Sequence, residues 1–224
     1  MNEEQITAVC ISREPQSFSV EIHFLSYTEG YRDVPKHNLD MGRIIYLTNR
    51  YNSAINQAIT KYPLTKHILV LDHYYLKYTS QIKILINDYI KLEKVILGGA
   101  IWYWNRQGIR SRIGYYDTLS IPEFVKLRYK NINSLPVGII PVTGVGACWI
   151  FPRSIWEKTN GFTIPSPAQA GGSRCLDTQD YSILLDYNCR LWRTHDTNTD
   201  IPDNSMAKRI LVSSTRLLNR LRYN

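Results

Sequence analysis

Nowhere do the 224 residues hold an unbroken apolar run of the roughly 18 residues that a membrane span needs. The opening residues, Met1-Asn2-Glu3-Glu4-Gln5, are acidic where a secretion signal is basic, so the expected location is cytoplasmic, free or peripheral at a membrane face. Cysteine is sparse. Cys10, Cys148, Cys175 and Cys189 lie far apart with no Cys-x-x-Cys spacing, which argues against a thiolate zinc site or a redox pair. Cys10 and Cys148 sit in strand-like apolar runs and read as buried small hydrophobes, and nothing in the spacing supports a Cys175–Cys189 bridge. No glycine-rich phosphate loop precedes Gly98, which disfavours a nucleotidyltransferase. There is no internal repeat and no linker long enough to separate a pair of autonomous domains.

The length suits one α/β domain with a full core. Hydrophobic residues at 44% and charged residues at 21% exclude a disordered tail and an all-membrane protein. Lys plus Arg exceed Asp plus Glu by 27 to 19, a net charge of +8. A positive surface favours anionic partners: nucleotide-sugars, phospholipid headgroups or nucleic acid. Sixteen tyrosines and five tryptophans suit stacking on sugars and equally a rigid core.

Along the chain, Ile6–Ile11 predicts a strand with Arg13 just beyond its end, Val20–Leu25 a second, and Arg43–Leu47 a third. Asn49 or Asn52 is placed to cap a helix carrying Ala54, Ile55, Ala58, Ile59 and Tyr62 inward, ended by Pro63. His67–Leu71 reads as a strand covered on both faces. Residues 81–92 show a helical period, and Val95–Leu97 a strand entering Gly98-Gly99. Such alternation predicts a single, mainly parallel central sheet flanked by helices, with ligands off the strand carboxyl ends and Asp72 on that rim.

Beyond residue 100, residues 101–116 predict a hairpin and 121–129 a short helix. Residues 137–151 predict a strand broken by Thr143-Gly144-Val145-Gly146. Ser154 opens a short helix closed by Asn160-Gly161. Residues 165–174 read as a flexible loop, Asp177 as the cap of a helix from Thr178 to about Arg190, and Trp192–His195 as extended. Residues 202–221 predict a basic terminal helix that docks on the body, faces an anionic membrane surface, or does both. The organisation expected is a domain over 1–200, with a nucleotide-binding half (1–100) and an acceptor and catalytic half (101–200), then the helix of 201–224.

Three ordered segments carry a resemblance. Asn49-Arg50-Tyr51-Asn52-Ser53-Ala54-Ile55-Asn56-Gln57-Ala58 followed by His67-Ile68-Leu69-Val70-Leu71-Asp72 resembles the stretch before the Asp-x-Asp motif of glycosyltransferases with the GT-A fold, especially family 2. The run Thr143–Arg153 to Asn160-Gly161-Phe162 is similar to that family's small residues, apolar strand, Arg, short helix and Gly-Gly-Phe. Gln179-Asp180-Tyr181-Ser182-Ile183 falls where the family places Glu-Asp-x-Asp-Leu.

The resemblance implies an α/β GT-A domain moving a sugar from a nucleoside-diphosphate donor to a glycan, lipid or protein hydroxyl, with inversion. It implies Asp180 as general base and Ser12, Arg13, Asn49, Asp72, His73, Gly144 and Gly146 around the donor. It also implies Mn²⁺ or Mg²⁺ held by Asp72 with His195. The motif departs from the family at Tyr74, where the metal carboxylate belongs. A phenol with a pKa near 10 is a poor ligand for Mg²⁺, so Arg13, Arg50, Arg106 and Arg110 are candidates to replace the cation.

Other readings stay open on the residues themselves. Asp72 also suits a turn or helix cap, and Asp180 a first helical turn favoured by the helix dipole. Gly144 and Gly146 leave room for a sugar or merely shape a bend. Trp102, Trp104 and Trp149 are candidates for sugar stacking, at least two of them better placed in the core. The alternatives to a transferase are a non-catalytic structural or carbohydrate-binding domain of the same fold, and a nucleic-acid-binding protein. Against the last, 101–116 lacks a zinc finger, a helix-turn-helix or paired RNA-stacking aromatics.

Overall fold

A computed structural model describes residues 5–32, 41–105, 112–115, 128–129, 135–163 and 172–193. Nine strands form one mixed sheet: β1 (Ile6–Ile11), β2 (His23–Tyr27), β3 (His67–Leu71), β4 (Val95–Asn105), β5 (Arg112–Tyr115), β6 (Arg128–Tyr129), β7 (Ile139–Pro141), β8 (Cys148–Pro152) and β9 (Ser182–Arg193). Among the described residues three α-helices accompany them, α1 (Met41–Lys61), α2 (Thr79–Tyr89) and α3 (Arg153–Thr159). The result is an α/β domain with a mixed sheet flanked by helices, not the mainly parallel sheet expected: three of the described strand pairs are parallel and five antiparallel.

β1 pairs in parallel with β2 and β3, and β4 in parallel with β9. β8 runs antiparallel between β3 and β4, pairing Leu69 and Leu97 alike with Ile150. β4 is the hub. One edge carries β9 along most of its length; the other pairs with β8 at Leu97–Gly98 and then with β5 from Trp102 to Asn105. The two halves expected from the sequence therefore share one sheet, and 101–116 holds the expected hairpin.

Side chains alternate across that sheet with the period of a strand. Val9, Ile68, Val70, Trp149 and Phe151 face one cluster, with Ala54, Ile55 and Ala58 of α1 and Ile155 and Trp156 of α3. Ala8, Cys10, Leu69, Leu71, Cys148 and Ile150 face the other, with Ile82, Leu85, Ile86 and Tyr89 of α2. Burying both faces explains why β1 and β3 read as continuous apolar runs.

Two expected elements differ. Arg43–Leu47 is the first part of α1, not a strand. Ile44, Thr48, Ile55 and Ala58 lie at helical spacing and are buried while Ile45 stays exposed, so packing of one helical stripe overrides the β-branched preference. Asn49 and Asn52 are accordingly helix interior rather than caps. The helix expected over 178–190 is β9: its run of apolar residues fits either period, and parallel pairing with β4 supplies the backbone partners. The loop of 137–151 separates two strands with different partners, β7 on β9 and β8 on β3. The helices expected over 121–129 and 202–221, most of the loop of 165–174, and Arg106, Arg110 and His195 lie outside the described residues, although Arg128–Tyr129 is strand β6.

Cys10, Cys148, Cys175 and Cys189 are all free and buried. Trp102 and Trp149 belong to the core at 0% and 1% exposure. Among the described residues no helix is long and apolar enough to cross a membrane.

Candidate functional site at the carboxyl rim

Three neighbouring parallel strands end together: β1 at Ile11-Ser12-Arg13, β2 at Tyr27-Thr28, and β3 at Leu71-Asp72. Open α/β sheets bind ligands off such ends. Asp72 follows a strand buried from Ile68 to Leu71 and caps the 3₁₀ turn His73–Tyr75, its Oδ1 accepting the Tyr74 N–H at 3.3 Å. The same oxygen lies 3.0 Å from His73 Nδ1, with both side chains partly exposed. The Tyr74 ring packs on the His73 imidazole, 3.9 Å between centroids.

The loop before β8 meets this strand end. The Asp72 N–H donates to the Ala147 carbonyl at 2.7 Å, and Cys148 N–H donates to Gly146 at 2.7 Å, closing a three-residue turn around Ala147. Ala147 sits at φ +61°, a left-handed conformation that costs an alanine about 1 kcal/mol or more. Two braces hold it there. Val145 and Ser173 exchange bonds, Val145 N–H to Ser173 Oγ and Ser173 N–H to the Val145 carbonyl, both 2.9 Å. The Val145 side chain also fills the space over Gly98, where an added Cβ would come within 2.6 Å of it.

Apolar burial shapes the electrostatics below Asp72. The Cys10 thiol is pushed up to about 12, by burial first and by Asp72 second, and Cys148 is raised by the same two causes. Tyr51 keeps part of its surface, yet its hydroxyl is desolvated; burial raises its pKa, Asp72 adds to that, and Arg50 opposes it. None of these groups ionises at neutral pH, so Asp72 and His73 are the polar pair this rim offers to a reacting ligand.

Arg50 braces the same rim from α1. It is 6% exposed; Nε donates to the Glu29 carbonyl at 3.1 Å and Nη2 to the carbonyls of Ser12 and Tyr27 at 3.2 Å each. Ser12 is buried and spends its hydroxyl on the Glu14 carbonyl at 2.7 Å. Arg13 is exposed, and Asn49 lies on the exposed face of α1. Asn52 clamps the segment after α3, accepting from Phe162 N–H at 2.8 Å and donating to its carbonyl at 3.0 Å. Phe162 thereby packs on Trp149, Phe151 and Trp156.

Asp180 is elsewhere. Leu69, Ile150, Leu97 and Leu184 stand at one level of the sheet. Asp72 lies three residues beyond that level on the carboxyl side, and Asp180 four residues before it on the amino side. At about 3.3 Å per residue the two are roughly 20 Å apart along the strands. Asp180 is in the turn before β9, its side chain 71% exposed and paired with Lys158 Nζ at 3.0 Å, and the same lysine holds Asp177 at 3.1 Å. The expected convergence of Asp72 and Asp180 on one cleft is therefore not the arrangement of this fold. A helix over 178–190 was expected to present Asp180; the strand carries it to the opposite rim.

No protein-family model and no curated protein matches the chain.

The rim thus unites Asp72, His73, Gly144 and Gly146 with Ser12 and Arg13 close by, and leaves out Asp180. Among the described residues no group of three or more His, Cys, Asp or Glu gathers as a metal cage. Asp72 and His73 are too few to hold Mn²⁺ or Mg²⁺, which takes about six ligands, mostly oxygen. Phosphate oxygens and water would have to complete the shell. Sequence reasoning missed Tyr51, Ala147 and Ser173. A left-handed alanine leaves no trace in composition, and the Val145–Ser173 exchange spans 28 residues.

Proposed function

We propose that the domain is a glycosyltransferase of GT-A type, binding a nucleoside-diphosphate sugar across the carboxyl rim and passing the sugar to an acceptor hydroxyl. The observation that carries this reading is the position of Asp72, at the end of a buried parallel strand and tied by its own N–H to the Gly144–Ala147 loop. The ordered segments add support: the Asn- and Ala-containing helix α1 precedes β3, and β8 leads through α3 into the Asn160-Gly161-Phe162 turn. Gly144 and Gly146 flank the strained turn, where a sugar could approach backbone without side-chain obstruction.

Chemistry at this rim needs a proton acceptor on the same side of the sheet as Asp72, and His73 meets that need. With Nδ1–H turned to Asp72 Oδ1, Nε2 keeps its lone pair. The acceptor hydroxyl gives its proton to Nε2, its oxygen bonds to the anomeric carbon, and the bond from that carbon to the diphosphate breaks with its electron pair on the diphosphate. One such displacement inverts the configuration. Asp72 orients the imidazole and stabilises its protonated form. Asp72 would be the protein's ligand to a divalent ion, which would supply charge neutralisation of the leaving group. The acceptor is a glycan, a lipid or a protein, and the basic segment 202–221 suits one held near an anionic membrane surface.

Titration calorimetry with uridine and guanosine diphosphates, with and without Mn²⁺, tests the reading. Binding of one of them that weakens in Asp72→Asn supports it; no binding of either under both conditions overturns it. Tyr74 in the metal position favours a second reading, a domain that binds the nucleotide-sugar without turning it over. Binding without transfer or donor hydrolysis would select that one.

A further inference from the structure

Beside Asp72, over the ends of β1 and β2, three guanidinium groups alternate with tyrosine rings. Arg32 lies over the Tyr46 ring at 4.9 Å from its centroid. Arg50 stands 5.7 Å from that centroid, 5.6 Å from that of Tyr31 and 5.5 Å from that of Tyr27. Arg13 lies over Tyr31 at 5.8 Å. The ladder runs Arg32, Tyr46, Arg50, Tyr31, Arg13. Its geometry is built rather than incidental: the Tyr46 hydroxyl accepts the Arg32 backbone N–H at 2.8 Å and donates to the Gly30 carbonyl at 3.1 Å, fixing the turn that carries Tyr31 and Arg32.

Among the described residues, charge at this ladder is unbalanced. No carboxylate among the described residues lies within ion-pair distance of Arg13, Arg32 or Arg50. Glu29, the nearest in sequence to Arg32 among the described residues, accepts from Gln57 through its Oε1 at 3.3 Å, while Asp33, next to Arg32, lies outside the described residues. Carbonyl oxygens and ring faces share the charge of Arg50 without cancelling it, and a buried charge is costly until a counter-charge arrives. Arg13 and Arg32 are exposed, so they are free to swing onto an anion while Arg50 contributes its field from beneath. Planar guanidinium groups match phosphate oxygens in pairs.

We propose that this ladder is an anion site for the diphosphate of the donor, so that guanidinium charge takes over much of the work of the carboxylate-held metal that Tyr74 disrupts. This rests on the nucleotide-sugar reading above for its ligand, although the anion site itself does not. Arg13 and Arg32 close on the diphosphate from the solvent side, and Arg50 ties the two strand ends together through the Ser12 and Tyr27 carbonyls.

The test is calorimetry with inorganic pyrophosphate in excess EDTA, on the full chain and on the Arg13→Gln/Arg32→Gln double variant. The full chain is expected to bind pyrophosphate without metal, more weakly as salt rises, and the double variant to lose about tenfold or more with an unchanged melting temperature. Arg13→Lys/Arg32→Lys should fall between, keeping charge but not paired donation. Absence of pyrophosphate binding, equal affinity in the double Gln variant, or binding only with Mn²⁺ overturns the site. The same titrations with uridine and guanosine diphosphates separate the two ideas. Nucleotide affinity unchanged in the double variant overturns the ladder alone. Pyrophosphate binding that obeys the variants while neither nucleotide binds more tightly overturns the nucleotide-sugar reading alone.

Discussion

The backbone N–H of Asp72 and the carbonyl of Ala147 meet at 2.7 Å, joining the end of β3 to a loop whose central residue is left-handed. Strain at Ala147 is thus held at the point where the candidate carboxylate leaves its strand. Replacing Ala147 by glycine removes a penalty of about 1–2 kcal/mol and adds unfolded-state entropy of about 0.5–1 kcal/mol. Ala147→Gly is expected to stabilise by about 0.5–1 kcal/mol in urea titrations, and Ala147→Val to destabilise, because a β-branched residue tolerates positive φ least.

Gly98 and Val145 form the second support of that loop. Gly98→Ala puts a methyl 2.6 Å from Val145 Cβ and Cγ1, and overpacking of this kind costs about 1–3 kcal/mol. Val145→Gly removes both of those atoms. A double-mutant cycle is expected to show the pair coupled by about 1 kcal/mol or more, with the double variant more stable than the two single losses add to. Additive losses would show that the loop moves away freely.

Opposite rims separate the roles of the two aspartates. Asp72→Asn keeps an oxygen to cap Tyr74, so its stability should change by less than about 1 kcal/mol while transfer falls by about a hundredfold or more. His73→Gln should lose turnover while leaving nucleotide affinity near that of the parent. Asp180→Asn only removes a solvent-screened surface ion pair to Lys158 and should leave transfer intact. Turnover lost in Asp180→Asn with the fold preserved would return the general base to that residue.

A buried carboxyl and a half-buried imidazole set opposite pH dependences. Asp186 is wholly buried, and burial, with Asp88 adding, pushes its carboxyl up to about 6; its Oδ1 accepts from Asn188 N–H. Raised above its unfolded value near 4, it stabilises the fold at low pH and loses that contribution as pH rises from about 4 to 6. His67 is pulled down to about 4, by burial first and by Lys66 second, and its Nδ1 meets the Tyr89 hydroxyl at 2.9 Å. Depressed below its unfolded value near 6.5, it destabilises the fold as pH falls through the same window. The two slopes oppose, so the parent should show a shallow dependence between pH 4 and 6. Asp186→Asn should unmask stability rising with pH, and His67→Gln stability falling with pH. Denaturation midpoints across that range read both signs, and identical slopes in the two variants would refute the pairing.

Much of the architecture was legible in the chain. Ile6–Ile11 and His67–Leu71 are continuous apolar runs of strand length, and only burial on both faces explains them, so their bounds and the position of Asp72 at a strand end could be read directly. Asn160-Gly161 announced the end of α3 because a left-handed cap suits those residue types, and Asn160 adopts φ +56°. Residues 178–190 were not legible: Ile183, Leu184 and Tyr187 fit a helical and a strand period alike, and only the open edge of β4 selects between them.

From the chain alone follow an α/β domain, the strands β1 and β3 and the carboxylate at the end of β3, because these rest on local periodicity and burial on both faces. The far-rim position of Asp180, the strain at Ala147 beside Asp72 and the interleaving of Arg13, Arg32 and Arg50 with tyrosines emerge only from the folded chain. Those relationships depend on which strand edges pair and where loops distant in sequence come together, and no local pattern of residues encodes that.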